Sequence, residues 1–357
     1  MTSDAVSTAL KRMGGAAIIK SLADQDDLEV IPTGLAGFDD DVIGLGGLPR
    51  SRVVHLYALT SVGKSTFTQF LAGVTQKQGG AVYWGDAERT IMKSYAQGSG
   101  MNIDSVFIPE WSTGPDLLYK TKQAIALGVF DMIVLDSLDA IRPSRDADKL
   151  DPSMHDNLAH ARLLNGFFYD ITGGYMISDA DSKSIINTYT VPWYNPKGKL
   201  EHRNDIHSLG HKKTVLIVIS HKKVKIETGF AAKFGKKTRT SGGGEKDFAA
   251  SLQLDLIHTG FKKGKSKGER ILKWREVKVR ADKNKVGAPL GETILRVMPS
   301  GHIIPDDEDV YDVQDMGQQE AEQAGLAAPE PDIDDLRARL EQFNKGKSND
   351  DETESIG

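Results

Sequence analysis

The stretch that most constrains this chain is Ser61-Val62-Gly63-Lys64-Ser65-Thr66, directly after the apolar run Val53-Val54-His55-Leu56-Tyr57. A buried strand, a tight turn ending Gly-Lys-Ser and then a helix is the grammar of a phosphate-binding P-loop. The turn's backbone N–H groups and the helix N-terminus attract anionic oxygens. Lys64 is placed to reach the β- and γ-phosphates of a nucleotide, and the Ser65 hydroxyl to ligate Mg²⁺. Phe67, Phe70, Leu71 and Val74 recur at helical spacing, which predicts the helix over 67–78 that such a loop opens. The strict pattern breaks at one place: Ala58 stands where its first glycine belongs.

The chain has 357 residues, 39% hydrophobic and 27% charged, which suits one large domain or two smaller ones. It has no apolar run long enough to span a bilayer, and Met1-Thr2-Ser3-Asp4 begins no signal peptide. The absence of Cys excludes disulfides and cysteine-bound zinc, and a reducing cytoplasm is the expected setting. Residues 306–357 hold 17 acidic and 4 basic residues, so the other 305 carry a net +8. A basic body with an acidic tail points to a polyanionic partner and a tail that competes with it.

Apolar runs at 52–57, 81–85, 131–135, 214–219, 252–257, 271–280 and 292–298 predict strands. Helical patterns separate the first four, which implies a mainly parallel sheet covered by helices. From 252 onward the runs follow closely, so antiparallel strands are expected at one edge. The segment before the first strand, from Ile31 to Arg50, reads as turns, and residues 5–23 as a helix. Residues 176–213 are polar and read as an insertion; their His202, His207 and His211 lack the carboxylate or cysteine partners of a metal set. After Pro305 the composition predicts disorder, with a short helix at 332–343.

Met132-Ile133-Val134-Leu135-Asp136-Ser137 is an apolar strand ending in Asp, as a Walker B element requires to bring a carboxylate to the Mg²⁺ shell. Between it and the P-loop, Tyr83-Trp84-Gly85-Asp86-Ala87-Glu88 places Glu88 at a strand end, on the edge where such sheets bind ligands. A carboxylate there can orient and deprotonate the water that attacks a γ-phosphate. The fourth strand ends in Ser220-His221, a polar position able to sense that phosphate. Lys222, Lys223, Lys225, Lys233, Lys236, Lys237 and Arg239 then face only Glu227, with Phe230 and Phe234 interleaved and Ser241-Gly242-Gly243-Gly244 following. Cations take phosphates and rings take bases, so this loop suits single-stranded nucleic acid.

In this order the parts resemble the RecA-type recombinases, in the form found in bacteriophages, from about residue 14 to 300. The resemblance rests on Ile31-Pro32-Thr33-Gly34, Gly46-Gly47-Leu48-Pro49, Gly63-Lys64-Ser65-Thr66, Asp86-Ala87-Glu88, Val134-Leu135-Asp136-Ser137, and Lys283-Asn284-Lys285 followed by Ala288-Pro289. It implies an α/β RecA-like core with an N-terminal arm (1–30) docking on the next subunit, an ATPase core (31–305) and an acidic tail (306–357). ATP and Mg²⁺ are the implied cofactors: Ser61, Val62, Gly63, Lys64, Ser65 and Thr66 cradle phosphate, Tyr95 stacks on adenine, and Ser65 and Asp136 serve the metal. The resemblance makes Glu88 the catalytic glutamate and gives Lys283 and Lys285 the ATP of a neighbouring subunit. Residues 142–156 and 222–244, the latter including Gly242 and Gly243, stand as its two DNA-binding loops. Two departures stand beside Ala58: His221 replaces the usual glutamine, and the family's usual C-terminal DNA-binding domain has no counterpart.

The implied function is an ATP-dependent filament on single-stranded DNA that pairs it with homologous double-stranded DNA. Single-strand-binding and loader proteins are further partners of such a filament, and its place is the cytoplasm, the host's if phage-encoded. A hexameric helicase on the same core, or an ATP-gated mediator with little turnover, are the competing readings.

Overall fold

The computed structural model describes residues 27–143, 157–172, 176–178, 185–187, 189–194, 200–205, 209, 213–224, 238–240, 243–266 and 269–306. The expected helices at 5–23 and 332–343, the tail beyond 306 and most of the 142–156 loop lie outside those residues.

One sheet organises the fold. Its strands are β1 (Val53–Ala58), β2 (Val82–Asp86), β3 (Val106–Phe107), β4 (Met132–Asp136), β5 (Val215–Val224), β6 (Thr238–Thr240), β7 (Ala250–Ser266), β8 (Glu269–Asn284), β9 (Glu292–Val297) and β10 (Ile303–Pro305). They lie in the order β10-β9-β8-β7-β1-β5-β4-β2-β3, with β6 pairing the far end of β5. Contacts from β7 across to β3 are parallel, and those from β7 to β10 antiparallel. The antiparallel flank is therefore where the closely spaced runs predicted it.

Parallel strands need long crossovers, and the helices supply them. These are α1 (Lys64–Lys77), α2 (Lys93–Gly98), α3 (Gly114–Leu127) and α4 (Asn157–Thr172), with a short α5 (Gly243–Ala249) before β7. Thr113 caps α3 by accepting the Asp116 N–H at 3.3 Å, and Gly128 ends it at φ 64°.

Both sheet faces are covered, so the strands read as unbroken apolar runs. Alternation still sorts their side chains. Met132 and Val134 pack with Phe67 and Leu71 of α1, while Ile133 and Leu135 pack with Leu117 of α3 and Phe168 of α4. Phe67 meets Phe38 edge to face, with ring centroids 5.2 Å apart. Truncating such a buried ring costs about 3–5 kcal/mol.

The approach segment is more than turns: Gly37–Ile43 is a π-helical turn that buries Phe38, Val42 and Ile43. The buried Asp39 carboxylate organises it by accepting from the Thr33 N–H (2.8 Å) and hydroxyl (2.7 Å) and from the Gly34 N–H (3.1 Å). Three apolar contacts at helical spacing around one self-contained polar residue were masked in the sequence by five nearby glycines. Within 176–213, read as an insertion, the described residues include two antiparallel pairs: Met176–Ser178 with Ile185–Asn187, and Tyr189–Tyr194 with Leu200–Asp205.

β7 and β8 are also far longer than the expected runs at 252–257 and 271–280. β7 last pairs with β1 at Leu256–Ala58, and β8 first pairs with β9 at Arg275–Val297. Beyond those points, 261–266 and 269–274 pair, among the described residues, only with each other.

Candidate nucleotide site and its cationic flanks

The four elements expected to converge do so at the C-terminal edge of adjacent strands. Ala58, Asp86, Asp136 and His221 all occupy strand ends or extensions, and the register places Asp86 opposite Asp136 and His221 opposite Ala58. Sheet order alone thus gathers residues up to 163 positions apart in the chain.

The turn after β1 has positive φ at Ser61 (62°) and Gly63 (113°). Gly63 is needed for that backbone conformation. Ala58 is a buried strand residue without positive φ, so the missing first glycine leaves the turn's shape intact. Lys64 opens α1; its Nζ donates to the Leu59 carbonyl at 3.2 Å and lies 3.3 Å from His221 Nδ1. Burial pulls its pKa down, against the opposing pull of Asp136, Glu88 and Asp139.

An ammonium only donates, so His221 Nδ1 accepts from Lys64 and its Nε2 carries the proton. That N–H donates to Glu88 Oε1 at 3.0 Å, and the Ser137 hydroxyl donates to the same oxygen at 2.5 Å. The His221 backbone N–H donates to Asp139 Oδ2 at 2.7 Å. A continuous polar path therefore runs from the P-loop lysine through His221 to Glu88. Asp136 is 4% exposed, and burial pushes its pKa up to about 6 despite the Ser65 hydroxyl donating to it. Thr66 Oγ1 lies 3.1 Å from the Tyr95 hydroxyl, which fixes Tyr95 beside α1.

Ser137, Asp139 and Arg275 escaped the sequence reading as site groups. Ser137 follows the Walker B acid, a signal available from spacing; Asp139 and Arg275 carried none. Arg275, on β8, donates to the Ser61 carbonyl at 3.2 Å. A trans peptide directs its C=O and the following N–H to opposite sides. The contact therefore aims the Val62 N–H away from Arg275.

The expected DNA loop divides. Lys222 Nζ donates to Asp255 Oδ2 at 2.6 Å, and that aspartate is fully buried. Arg280 reaches the same oxygen at 3.3 Å, so Lys222 is tied into the sheet. Lys223 is half exposed, 3.6 Å from Asp139. Arg239 and Gly243 lie in β6 and α5. Lys225, Phe230, Lys233, Phe234, Lys236, Lys237 and Gly242 lie outside the described residues.

Lys285 Nζ donates to the Phe248 carbonyl at 2.8 Å and sits 4.9 Å above the Phe248 ring. Lys283 donates to the Asp247 carbonyl, and burial, then Lys285, pulls its pKa down to about 8. Both lysines thus cap the last turn of α5, whose carbonyls lack helical partners. Among the described residues, no helix is long and apolar enough to cross a membrane.

Comparison with known proteins fits this geometry. A model of the RecA N-terminal domain matches residues 1–187. Protein RecA of Delftia acidovorans is 32% identical over 265 residues, 74% of this chain and 60% of its own length. Protein RecA of Thioalkalivibrio sulfidiphilus and of Legionella pneumophila are each 28% identical over 290 residues, 81% of this chain and 70% and 69% of theirs. The chain thus spans less than two thirds of the Delftia protein. A family match taking in more than half of the residues, on a sheet whose central strand feeds a P-loop, makes the assignment plain: this chain belongs to the RecA family.

Proposed function

We propose that the chain is a DNA-dependent ATPase that assembles as a filament on single-stranded DNA and pairs it with homologous duplex in recombination and repair. One observation carries the reading: the path Lys64–His221–Glu88 joins the phosphate-binding turn to the strand that continues into the cationic segment 222–244.

The groups around the turn suit ATP with Mg²⁺. Ser65 and Asp136 offer oxygen donors, the kind Mg²⁺ prefers, and a buried carboxyl with a raised pKa is relieved by a cation. Bound Mg²⁺ would be held by Ser65 and Asp136 and would supply positive charge against the phosphates.

The chain's own residues do the rest. The N–H groups of the 61–66 turn and Lys64 hold the phosphates, and Tyr95, held beside α1 by Thr66, covers the base. Glu88, aimed by Ser137 and His221, orients a water and takes its proton. The water oxygen bonds to the γ-phosphorus as the bond to the ADP oxygen breaks. Lys64 can serve His221 or a γ-phosphate. A phosphate that recruits it leaves His221 Nδ1 to a new partner and shifts the root of the cationic segment. In a filament, Lys283 and Lys285 would exchange the α5 carbonyls for a neighbour's phosphates, acting as cations supplied in trans.

Glu88→Gln should keep ATP and single-strand binding and lose turnover by about 10²-fold or more. Undiminished turnover would remove Glu88 from this role. Electron micrographs with single-stranded DNA and a slowly hydrolysed ATP analogue should show helical filaments; closed rings would favour a helicase, and isolated monomers a mediator.

A further inference from the structure

Asp139 is a charged group of the site that the reaction above leaves without a task. It sits on the single 3-10 turn Leu138–Ala140, which follows β4 and Ser137. Leu138 and Ile141 are buried on either side of it, and His160 of α4 donates from Nε2 to the Leu138 carbonyl at 3.1 Å. The Ala140 N–H closes the turn on the Ser137 carbonyl at 3.1 Å. The Asp139 side chain, 13% exposed, therefore stands on a fixed pedestal.

Both of its oxygens face the strand that runs into the cationic segment. Oδ2 accepts the His221 backbone N–H at 2.7 Å. β5 pairs with β4 only as far as Val218–Leu135, so beyond that point Asp139 supplies the acceptor that a strand no longer offers. Oδ1 is buried and, among the described residues, has no hydrogen-bond partner. Lys223 Nζ lies 3.6 Å from it on a side chain that is 55% exposed. A carboxylate oxygen withdrawn from water and left unbonded is costly. A half-exposed lysine beyond hydrogen-bond range offsets that cost only in part.

One carboxylate thus divides its charge between the backbone that places His221 and a lysine near the start of the cationic segment. The His221 ring in turn lies between Lys64 (3.3 Å) and Glu88 (3.0 Å). A ring at a strand end moves with its backbone, and a displacement of about 1 Å in a reacting constellation can cost about 10²-fold in rate. A phosphate that recruits Lys223 removes the competing cation. The full charge then bears on the His221 N–H, and charge-assisted hydrogen bonds are the stronger kind.

We propose that Asp139 is a positioning residue that sets His221 against Glu88 and transmits the capture of Lys223 by a DNA phosphate to the hydrolytic centre. The inference rests on the reading above of a DNA-dependent ATPase and assigns that dependence to named atoms.

The test is steady-state phosphate release by the full chain across ATP concentrations, with and without oligo-dT, for Asp139→Ala, Asp139→Asn and Lys223→Gln, with melting temperatures alongside. Asp139→Ala should lower kcat about tenfold and leave the KM for ATP within about twofold, since the phosphate-binding turn is untouched. Asp139→Asn keeps an oxygen for the His221 N–H and should recover part of kcat, while stimulation by oligo-dT falls about fivefold in both variants. Lys223→Gln should raise DNA-free turnover about twofold or more, because the competing cation is gone. A lysine that serves DNA alone would leave DNA-free turnover where it was, and that result would overturn the link to Lys223. Lys223→Gln keeps Asp139 in place, so its readout stands even if Asp139→Ala fails to fold. Undiminished kcat in Asp139→Ala would overturn the proposal, as would equal losses in the alanine and asparagine variants with equally lowered melting temperatures. Absence of oligo-dT stimulation in the unsubstituted chain would count against the proposed function; the DNA-free kcat of Asp139→Ala and its partial recovery in Asp139→Asn would still decide whether Asp139 places His221.

Discussion

β5 and β7 lie on either side of the P-loop strand β1, and the sequence segments 222–244 and 261–275 that begin within them each carry seven cations against one acid. Equal charge does not make them equal surfaces. The first interleaves Phe230 and Phe234 with glycines; in the second, Lys263 and His258 lie beside the Phe261 ring and Arg296 over that of Trp274, on paired strands. Their roots differ too. Lys222 is committed to the buried Asp255, whereas Arg275 holds the P-loop carbonyl of Ser61. The two segments are thus alike in charge, and their described roots are not.

Removing the centre between these roots should have the largest effect. Lys64→Ala is expected to cut DNA-stimulated hydrolysis by about 10²–10³-fold and to erase any nucleotide dependence of single-strand binding. A phosphate-release assay and an anisotropy titration check both, and retained turnover would break the link between centre and segments.

Next in size, Lys222→Ala separates root from loop. Leaving Asp255 with Arg280 alone should cost about 2–4 kcal/mol of stability, seen as a lower denaturation midpoint. Lys236→Ala should leave the midpoint unchanged and weaken single-strand binding instead. Identical behaviour of the two lysines would dissolve the distinction.

The centre also has a pH signature. The Asp136 pKa is raised to about 6 in the fold against 3.8 ordinarily, so the folded protein binds the extra proton between those values. Stability of the nucleotide-free chain should therefore fall as pH rises through that window, by about 3 kcal/mol at most, and level off above it. Asp136→Asn should flatten the dependence and raise the melting temperature at pH 7.5, with a shrinking advantage below pH 6. An unchanged slope would mean the carboxyl is better solvated than its burial implies.

The smallest effect concerns the root of the second segment. Arg275→Ala should weaken binding of a fluorescent ATP analogue about fivefold by releasing the Ser61 carbonyl, with Arg275→Lys recovering part of it. No change would mean that the Arg275 contact does not shape the turn.

Most of this architecture is legible in the residues. The parallel block reads directly because its strands are buried on both faces and end in Lys-, Glu-, Asp- and His-bearing turns. Thr113 and Gly128 bound α3 as helix punctuation should. The extension of β7 and β8 was hidden because Lys262, Lys263 and Lys265 interrupt the apolar alternation that marks a half-buried strand; a strand with no buried face has no such period. The engagement of Lys222 was hidden for another reason. Its partner lies 33 residues on, and only the sheet order brings Asp255 under it. Asp139 and Arg275 share that character: tertiary register, with no local pattern, delivers them to the site.

The account turns on nucleotide state governing the grip on an unpaired strand. The most direct measurement is the affinity of the full chain for labelled oligo-dT with Mg²⁺ and a slowly hydrolysed ATP analogue, with Mg²⁺ and ADP, and with neither nucleotide. Tight binding in the first condition, weakened by about tenfold or more in the other two, is the predicted result. Equal affinity in all three would contradict it.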